Sequence, residues 1–209
     1  MAAGSGSRFG AQKQFLELDG QRVIDRAVAT AAASSAGVVV VLPAGQGLGY
    51  DSCGDTPVLT AVGGATRSAS VSNGLAAVPV DAEQILVHDA ARPMCPTSVF
   101  ERVIAALTDG AQAVVPVIDV VDSLRRRQGE AVDRSEFVAV QTPQGFDAAV
   151  LREAYVRADG RAASDDATLV EQLGVAVTQV AGDEISSKIT RPLDLKVAEI
   201  VAQQGADHG

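Results

Sequence analysis

Apolar runs of strand length alternate with segments of helical period from one end of this chain to the other, and that alternation restricts the fold more than any other feature. Val38 to Leu42 is a continuous β-branched run closed by Pro43, the pattern of a strand buried on both faces. Val58 to Val62 and Ala113 to Val117 are further apolar runs, and Gln84 to His88, Phe137 to Val140 and Val175 to Val180 are strand-like. Between them, residues 22–33, 66–77, 97–107, 147–157 and 165–173 carry helical spacing, and Pro192 opens a last helix to about residue 204. Val23, Ile24, Ala27 and Val28 share one side of the first helix, and Val71 and Leu75 stand at i,i+4 in the second. Thr97 or Ser98 reads as the N-cap of helix 97–107, with Glu101 in its first turn. The pattern predicts an α/β fold: a Rossmann-like, mostly parallel sheet with helices on both faces. With 209 residues, no internal repeat and no low-complexity linker, residues 1–209 form one domain. Residues 119–136 break the rhythm. Arg125-Arg126-Arg127 followed by Gln128-Gly129-Glu130 reads as a charged β-hairpin arm projecting from the body.

Ala2 to Gly10 holds three glycines and two serines, with Arg8 and then Lys13 as its first cations. Backbone N–H groups without steric cover, edged by cations, suit a phosphate chain. The other reading of such a stretch is a flexible tail. Gly4-x-Gly6-x-x-Phe9 is not a dinucleotide fingerprint, because the third glycine is missing, and no Gly-Lys-Ser/Thr follows to make a Walker loop. The segment after the loop reads as a helix. In a sheet of this kind a phosphate loop follows a strand, yet here the loop begins at Met1. The expectation is that the first strand is missing, through truncation or a start read too late. Its loss would leave unpaired ladder groups on its neighbours.

Four further clusters carry chemistry. In Val87-His88-Asp89-Ala90-Ala91-Arg92-Pro93, Asp89 sits just past a strand's carboxyl end, where open α/β sheets collect ligands. Asp89 could hold a ribose hydroxyl or a divalent metal and Arg92 a phosphate, or the two could pair with each other. In Gly63-Gly64-Ala65-Thr66-Arg67-Ser68-Ala69-Ser70, the glycines would let a flat base approach the backbone while Ser70 reads its edge. The bland version is a helix start capped by Thr66 or Ser68. Ile185 to Thr190 is short and extended, and Lys188 within it faces the site or solvates an edge. Asp165-Asp166 resembles a metal pair, although adjacent carboxylates at a helix N-terminus more often cap it.

Composition excludes several classes. A net charge of −9 repels nucleic acid, and 3% aromatics with no Trp supply no base-stacking platform. Any phosphate site must be a local basic island. Two cysteines without metal spacing, no signal peptide and no apolar run near ~18 residues point to a cytoplasmic protein with no membrane association. With only His88 and His208, a histidine metal cluster or a Ser-His-Asp triad is discounted.

Taken in order, the strings AAGSGSR, KQF, GGATRSASV, VHDAARP, Val132-Asp133-Arg134, QTPQ at 141–144, SDD at 164–166 and KITRP at 188–192 resemble one family across almost the whole chain. It is the 2-C-methyl-D-erythritol 4-phosphate cytidylyltransferase family of the non-mevalonate isoprenoid pathway. The resemblance implies transfer of a cytidylyl group from CTP to the phosphate of methylerythritol phosphate, with Mg²⁺, releasing pyrophosphate. It implies that Arg8 and Lys13 stabilise the transition state on the triphosphate, and that Ala2, Ala3, Gly4, Gly6, Gly64 and Ser70 surround the CTP. Asp89 and Ala90 match the ribose and metal region, with Asp89 the metal ligand. Arg92, Ser123 and Thr142 fall with the acceptor-binding set, and Arg134 and Lys188 match the residues that position the incoming phosphate. The family's arms interlock two subunits, which implies a homodimer. Departures are Met1 and Gln12 where proline is usual, Ala65 at an often acidic position, and Ser123 and Arg125 in place of threonine and lysine. A sibling enzyme acting on ribitol 5-phosphate and a non-catalytic nucleotide-binding homologue are the alternatives.

Overall fold

The β-branched runs form strands and the segments of helical period form helices, in the order the chain presents them. The structure, a computed structural model, describes residues 1–4, 9–160, 163 and 165–206. A small hairpin of β1 (Glu17–Leu18) and β2 (Gln21–Arg22) leads into α1 (Val23–Ala33). Then come β3 (Val38–Leu42), β4 (Ser52–Cys53), β5 (Thr56–Val62), α2 (Arg67–Ala77), β6 (Gln84–Val87), α3 (Thr97–Thr108) and β7 (Ala113–Asp119). After β7 follow β8 (Leu124–Arg125), β9 (Ala131–Val132), β10 (Val138–Val140) and β11 (Gln144–Asp147). The chain continues with α4 (Ala148–Ala158), α5 (Asp166–Glu171), β12 (Thr178–Ala181) and α6 (Pro192–Ala206).

β3 pairs with β5 in parallel, and β12 pairs with β7 in parallel. β11 lies between β6 and β7 and runs against both, while β10 runs against the other end of β7. The principal strands therefore share one direction except for β10 and β11, so the sheet is mixed rather than purely parallel. The reversed β11 escapes a hydrophobic pattern because Phe146 is its one large apolar side chain. Gly145 is required there: a Cβ would lie 2.4 Å from Val103 Cγ1 of α3.

Alternation along β3 explains its two-faced burial. Val40 and Leu42 pack with Ile24 and Val28 of α1, while Val41 faces α2, whose Gly74 leaves no room for a Cβ beside it. On the α2 side, Val71 and Leu75 join Ile85, Val87, Phe146 and Leu151 in the largest cluster of the core. Helices thus cover both faces, as parallel strands require.

Several local expectations need correction. The N-cap of α3 is Pro96, with no side-chain cap bond, so neither Thr97 nor Ser98 fills that role. No long helix follows the N-terminal loop: Lys13–Phe15 is a single 3-10 turn, and α1 begins only after the β1–β2 hairpin. Gly20, in the left-handed region at φ 74, closes that hairpin. The strand expected over Val175 to Val180 starts at Thr178, and Ile185, expected to begin a short extended segment, lies instead in a turn closed by the Ser186 N–H on the Asp183 carbonyl.

Candidate active site

Residues 1–4 are drawn across the carboxyl ends of β3 and β6 by main-chain bonds to both. The Ala2 N–H donates to the Val41 carbonyl at 2.9 Å, and the Ala90 N–H donates to the Met1 carbonyl at 3.1 Å. Gln14 Nε2 ties the Gly4 carbonyl at 3.1 Å. The turn after β5 closes on the same place. Gly63 and Gly64 have no room for side chains, since a Cβ would lie 2.2 Å from Ala3 Cβ and 2.5 Å from Ala69 Cβ respectively. Thr66 Oγ1 accepts from the Ala69 N–H and caps α2, so Ser68 does not. Ser70 is buried; its Oγ accepts from the Gly64 N–H at 3.0 Å and donates to the Thr66 carbonyl at 2.8 Å. Ser70 therefore rigidifies the glycine turn that lines the cleft.

Asp89 and Arg92 do not pair. Lys188 Nζ lies 2.5 Å from Asp89 Oδ2, joining positions 99 residues apart. Burial would push the Asp89 carboxyl up, but Lys188 beside it, with Arg67 and the chain's amino group farther off, holds it well below the usual carboxylate range. Arg92 turns instead to the loop carrying Lys188, donating to the Ser186 carbonyl at 2.6 Å, while the Ile189 N–H donates to the Ala91 carbonyl at 2.8 Å. Arg92 anchors that loop and does not line the cleft. Lys13 Nζ donates to the Ile189 carbonyl and does line it.

Thr142 is also placed beneath the cleft rather than in it. Its buried Oγ1 accepts from the Asp89 N–H at 3.0 Å and meets His88 Nδ1 at 3.1 Å. His88 is the one histidine among the described residues. Burial, aided by the chain's amino group, lowers its pKa to about 4, so it is neutral at pH 7. Ser123 and Arg134 belong to the 119–136 segment, where β8 pairs with β9; both are exposed and neither lines the cleft of its own chain. Gly6 and Arg8 lie outside the described residues.

Sequence reasoning missed one constellation. Arg67, in the first turn of α2, lines the cleft and places its two terminal nitrogens 3.0 and 2.7 Å from the Asp166 carboxylate. Tyr155 Oη donates to the same carboxylate at 2.5 Å, and Asp166 is fully buried. Burial first, then the Asp166 charge, pushes the Tyr155 hydroxyl up. Asp165 caps α5 through the Thr168 N–H. The adjacent carboxylates thus have separate jobs, and among the described residues no group of three or more His, Cys, Asp or Glu could hold a metal alone. No local pattern signalled this constellation, because Arg67 and Asp166 stand 99 residues apart.

The result is a cleft of about 480 Å³ at the sheet's carboxyl end, within the size range of small-molecule sites. Three cations, Lys13, Arg67 and Lys188, line it together with one ionised carboxylate, Asp89, which is paired with Lys188. Such an arrangement neutralises anions and offers no exposed base of near-neutral pKa, so it suits reactions whose nucleophile is already charged.

The family model described as IspD, 2-C-methyl-D-erythritol 4-phosphate cytidylyltransferase, matches residues 1–204. A 2-C-methyl-D-erythritol 4-phosphate cytidylyltransferase of Rhodococcus opacus is 44% identical, with 98% of this chain and 94% of the relative covered. The crystal structure of 2-C-methyl-D-erythritol 4-phosphate cytidylyltransferase from Thermus thermophilus superposes with a TM-score of 0.82 at 39% identity, covering 97% of this chain and 96% of that one. The 4-diphosphocytidyl-2C-methyl-D-erythritol synthase of Anaerococcus prevotii reaches the same TM-score at 25% identity, over 97% and 95% of the two chains. A match over nearly the full length, carried through both sequence and fold, places this chain in the 2-C-methyl-D-erythritol 4-phosphate cytidylyltransferase family.

Proposed function

We propose that this protein joins the phosphate of 2-C-methyl-D-erythritol 4-phosphate to the α-phosphate of CTP. A phosphate oxygen of the acceptor forms a bond to the α-phosphorus, the bond to the β-phosphate breaks, and pyrophosphate leaves. The observation that carries this reading is that three cations, Lys13, Arg67 and Lys188, line one cleft with the ionised Asp89 at the carboxyl end of the sheet. A phosphate monoester is an anion at neutral pH, so no general base is required. The work lies in relieving repulsion between two anions and in stabilising charge that grows on the α-phosphate and pyrophosphate. Gly64, braced by Ser70, and residues Ala2 to Gly4 supply a close backbone surface for the nucleoside.

The donor chemistry fits Mg²⁺. Asp89 offers hard carboxylate oxygens in their ionised form, and a magnesium ion takes one or two carboxylates together with substrate phosphates. Bound there with CTP, the ion would neutralise triphosphate charge.

The arm is part of the proposal. Val121, Phe137, Val138 and Val140 are large apolar side chains left exposed along the arm and β10, which supports a homodimer closed through this face. Arg134 and Ser123 would then serve the acceptor at the neighbouring subunit's cleft. A cytoplasmic location accords with the absence, among the described residues, of any helix long and apolar enough to cross a membrane.

Pyrophosphate release from CTP and Mg²⁺ with methylerythritol phosphate tests the reaction, with ribitol 5-phosphate as the competing acceptor. Release with the first acceptor and little with the second is expected, and no release with either overturns the reading. Lys13→Ala should lower turnover by about 10²-fold or more with an intact fold, as loss of a charge-stabilising donor does elsewhere.

A further inference from the structure

The loop that carries Lys188 leaves the sheet at the end of β12. The β12 ladder on β7 closes with Ala181 opposite Val117, and the Gly182 N–H donates to the Val117 carbonyl at 2.8 Å. Asp183 comes next, beyond the ladder, and its main-chain groups are met by a side chain instead. Gln141 Nε2 donates to the Asp183 carbonyl at 2.8 Å, and the Asp183 N–H donates to Gln141 Oε1 at 3.0 Å. A primary amide carries a donor and an acceptor side by side, so it meets both groups of one residue as a neighbouring peptide would.

Gln141 is 3% exposed and does not line the cleft. Its own N–H donates to the Pro116 carbonyl at 2.8 Å, which fixes its main chain to β7. Val117 pairs with both Val140 and Ala181, so β10 and β12 lie on opposite sides of β7. Gln141 directly follows β10, and its side chain therefore reaches over β7 to the far side. Gly182 keeps that path open, since a Cβ there would lie 2.5 Å from Gln141 Oε1.

The turn that leads to Lys188 is built on the atom Gln141 holds. The Ser186 N–H donates back to the Asp183 carbonyl at 3.1 Å. The Ser186 carbonyl then accepts from Arg92, and the Ile189 N–H reaches the Ala91 carbonyl, with Lys188 between these two ties. The other half of the ion pair hangs from the next residue along, because Thr142 Oγ1 accepts from the Asp89 N–H at 3.0 Å. Consecutive Cα atoms stand about 3.8 Å apart. Lys188 and Asp89 are thus referred to one point on the chain, although 99 residues separate them.

We propose that Gln141 is a positioning residue for Lys188: its side-chain amide takes the place of one more ladder residue beyond β12 and fixes where the loop departs toward Asp89. What assigns it this part is the address of its two bonds, which go to the residue where the loop leaves the sheet.

Gln141→Met keeps the length of the side chain and removes both bonds. Exchange of the Asp183, Ser186 and Ile189 amides should speed up by about 10-fold or more, the worth of one buried hydrogen bond, while the β7 amides stay within about 2-fold. The kinetic consequence rests on the proposed cytidylyl transfer, in which Lys188 holds a reacting phosphate. There, Gln141→Met should lower kcat/KM for the acceptor by about 10-fold in the otherwise unchanged chain and by less than about 2-fold in a Lys188→Met background, because a residue acting through Lys188 then has nothing left to position. Gly182→Ala displaces the same amide from the other side; it should give the same pattern and takes the place of Gln141→Met if that variant does not fold. Unchanged exchange at Ser186 and Ile189 overturns the proposal, and so does an equal kinetic loss in both backgrounds. A parent chain without turnover overturns the reaction instead, and the exchange measurement still decides the positioning.

Discussion

Asp166→Ala tests whether the buried carboxylate, rather than the cleft cations alone, holds the entrance of α2 in place. The substitution removes the acceptor of two Arg67 bonds, at 3.0 and 2.7 Å, and of one Tyr155 bond at 2.5 Å. Deleting one partner of a buried ion pair costs about 3–5 kcal/mol, because the charge left behind has no compensation. Arg67 is 31% exposed, so its guanidinium can turn toward water, and the lower end of that range applies. The expected loss is about 3 kcal/mol, the orphaned Tyr155 hydroxyl included. For a chain of this size that corresponds to a fall in Tm of about 6–12 °C. Asp166→Asn keeps an acceptor for Tyr155 with little change in volume, so about half of the loss should remain. Urea unfolding measures both variants. Because Arg67 starts the helix that carries Ser70, CTP affinity by calorimetry should fall in the alanine variant even where it stays folded. A destabilisation below about 1 kcal/mol with unchanged CTP affinity would show that α2 is held by its apolar face alone.

Other substitutions probe the cleft and its floor. The depressed Asp89 pKa contributes stability that is present above the ordinary carboxylate value and is lost as pH falls through the depressed one. Lys188→Met removes the main cause, so the acid-unfolding midpoint followed by circular dichroism should move to higher pH, and an unmoved midpoint refutes the coupling. His88 acts in the same direction at a higher pH: its pKa is lowered from 6.5 to about 4, so the unfolded chain binds more protons between those values. Stability should therefore drop by about 3 kcal/mol as pH falls across that window, and His88→Asn should flatten the dependence in urea titrations at about pH 6.5 and about pH 4.5. Equal slopes in both proteins would exclude His88 as the cause. Arg134→Ala should raise the acceptor KM by about 10-fold, the worth of one charge-assisted hydrogen bond, and leave the KM for CTP unchanged. A collapse of CTP affinity instead would move Arg134 out of the acceptor's company.

What could be read from the chain was whatever short-range pattern decides. α1 and β3 occupy the stretches assigned to them because apolar spacing alone distinguishes a 3.6-residue period from a run buried on both faces. β11 was invisible because Gln144 and Gly145 are there to reach α5 and to admit α3, not to fill a hydrophobic pattern: Gln144 Nε2 bonds Asp165 at 2.9 Å. In the cleft, the residue types were readable and their partners were not. Asp89 found Lys188, and Arg67 found Asp166, each across 99 positions. Local spacing carries no information about such pairs. Arg92 and Thr142 show the same limit from the other side, since both lie within motifs that carry the site yet hold it from beneath.

The pairing of Lys188 with Asp89 bears on how an anionic protein keeps a phosphate site ready. With a net charge of −9, isolated cations in a cleft would be drawn to whichever carboxylate came nearest. Pairing two of the cleft cations with fixed carboxylates, Lys188 with Asp89 and Arg67 with Asp166, defines where those charges stand before a ligand arrives. On the proposed reading the two pairs then behave differently. Asp166 is fully buried and remains bound to Arg67, so that charge stays in place. Lys188 and Asp89 could exchange, because a magnesium triphosphate would bring a cation for the carboxylate and an anion for the ammonium. That exchange would replace one close ion pair with two and leave no buried charge unmatched, which would keep its desolvation penalty small. A ligand bearing phosphates without the metal satisfies only Lys188 and strands Asp89 beside them. CTP affinity should therefore depend steeply on Mg²⁺ in the parent protein, and Asp89→Asn should bind metal-free CTP more tightly than the parent does. Equal metal-free affinity in the two proteins would mean that the Asp89 charge is not felt at the phosphates.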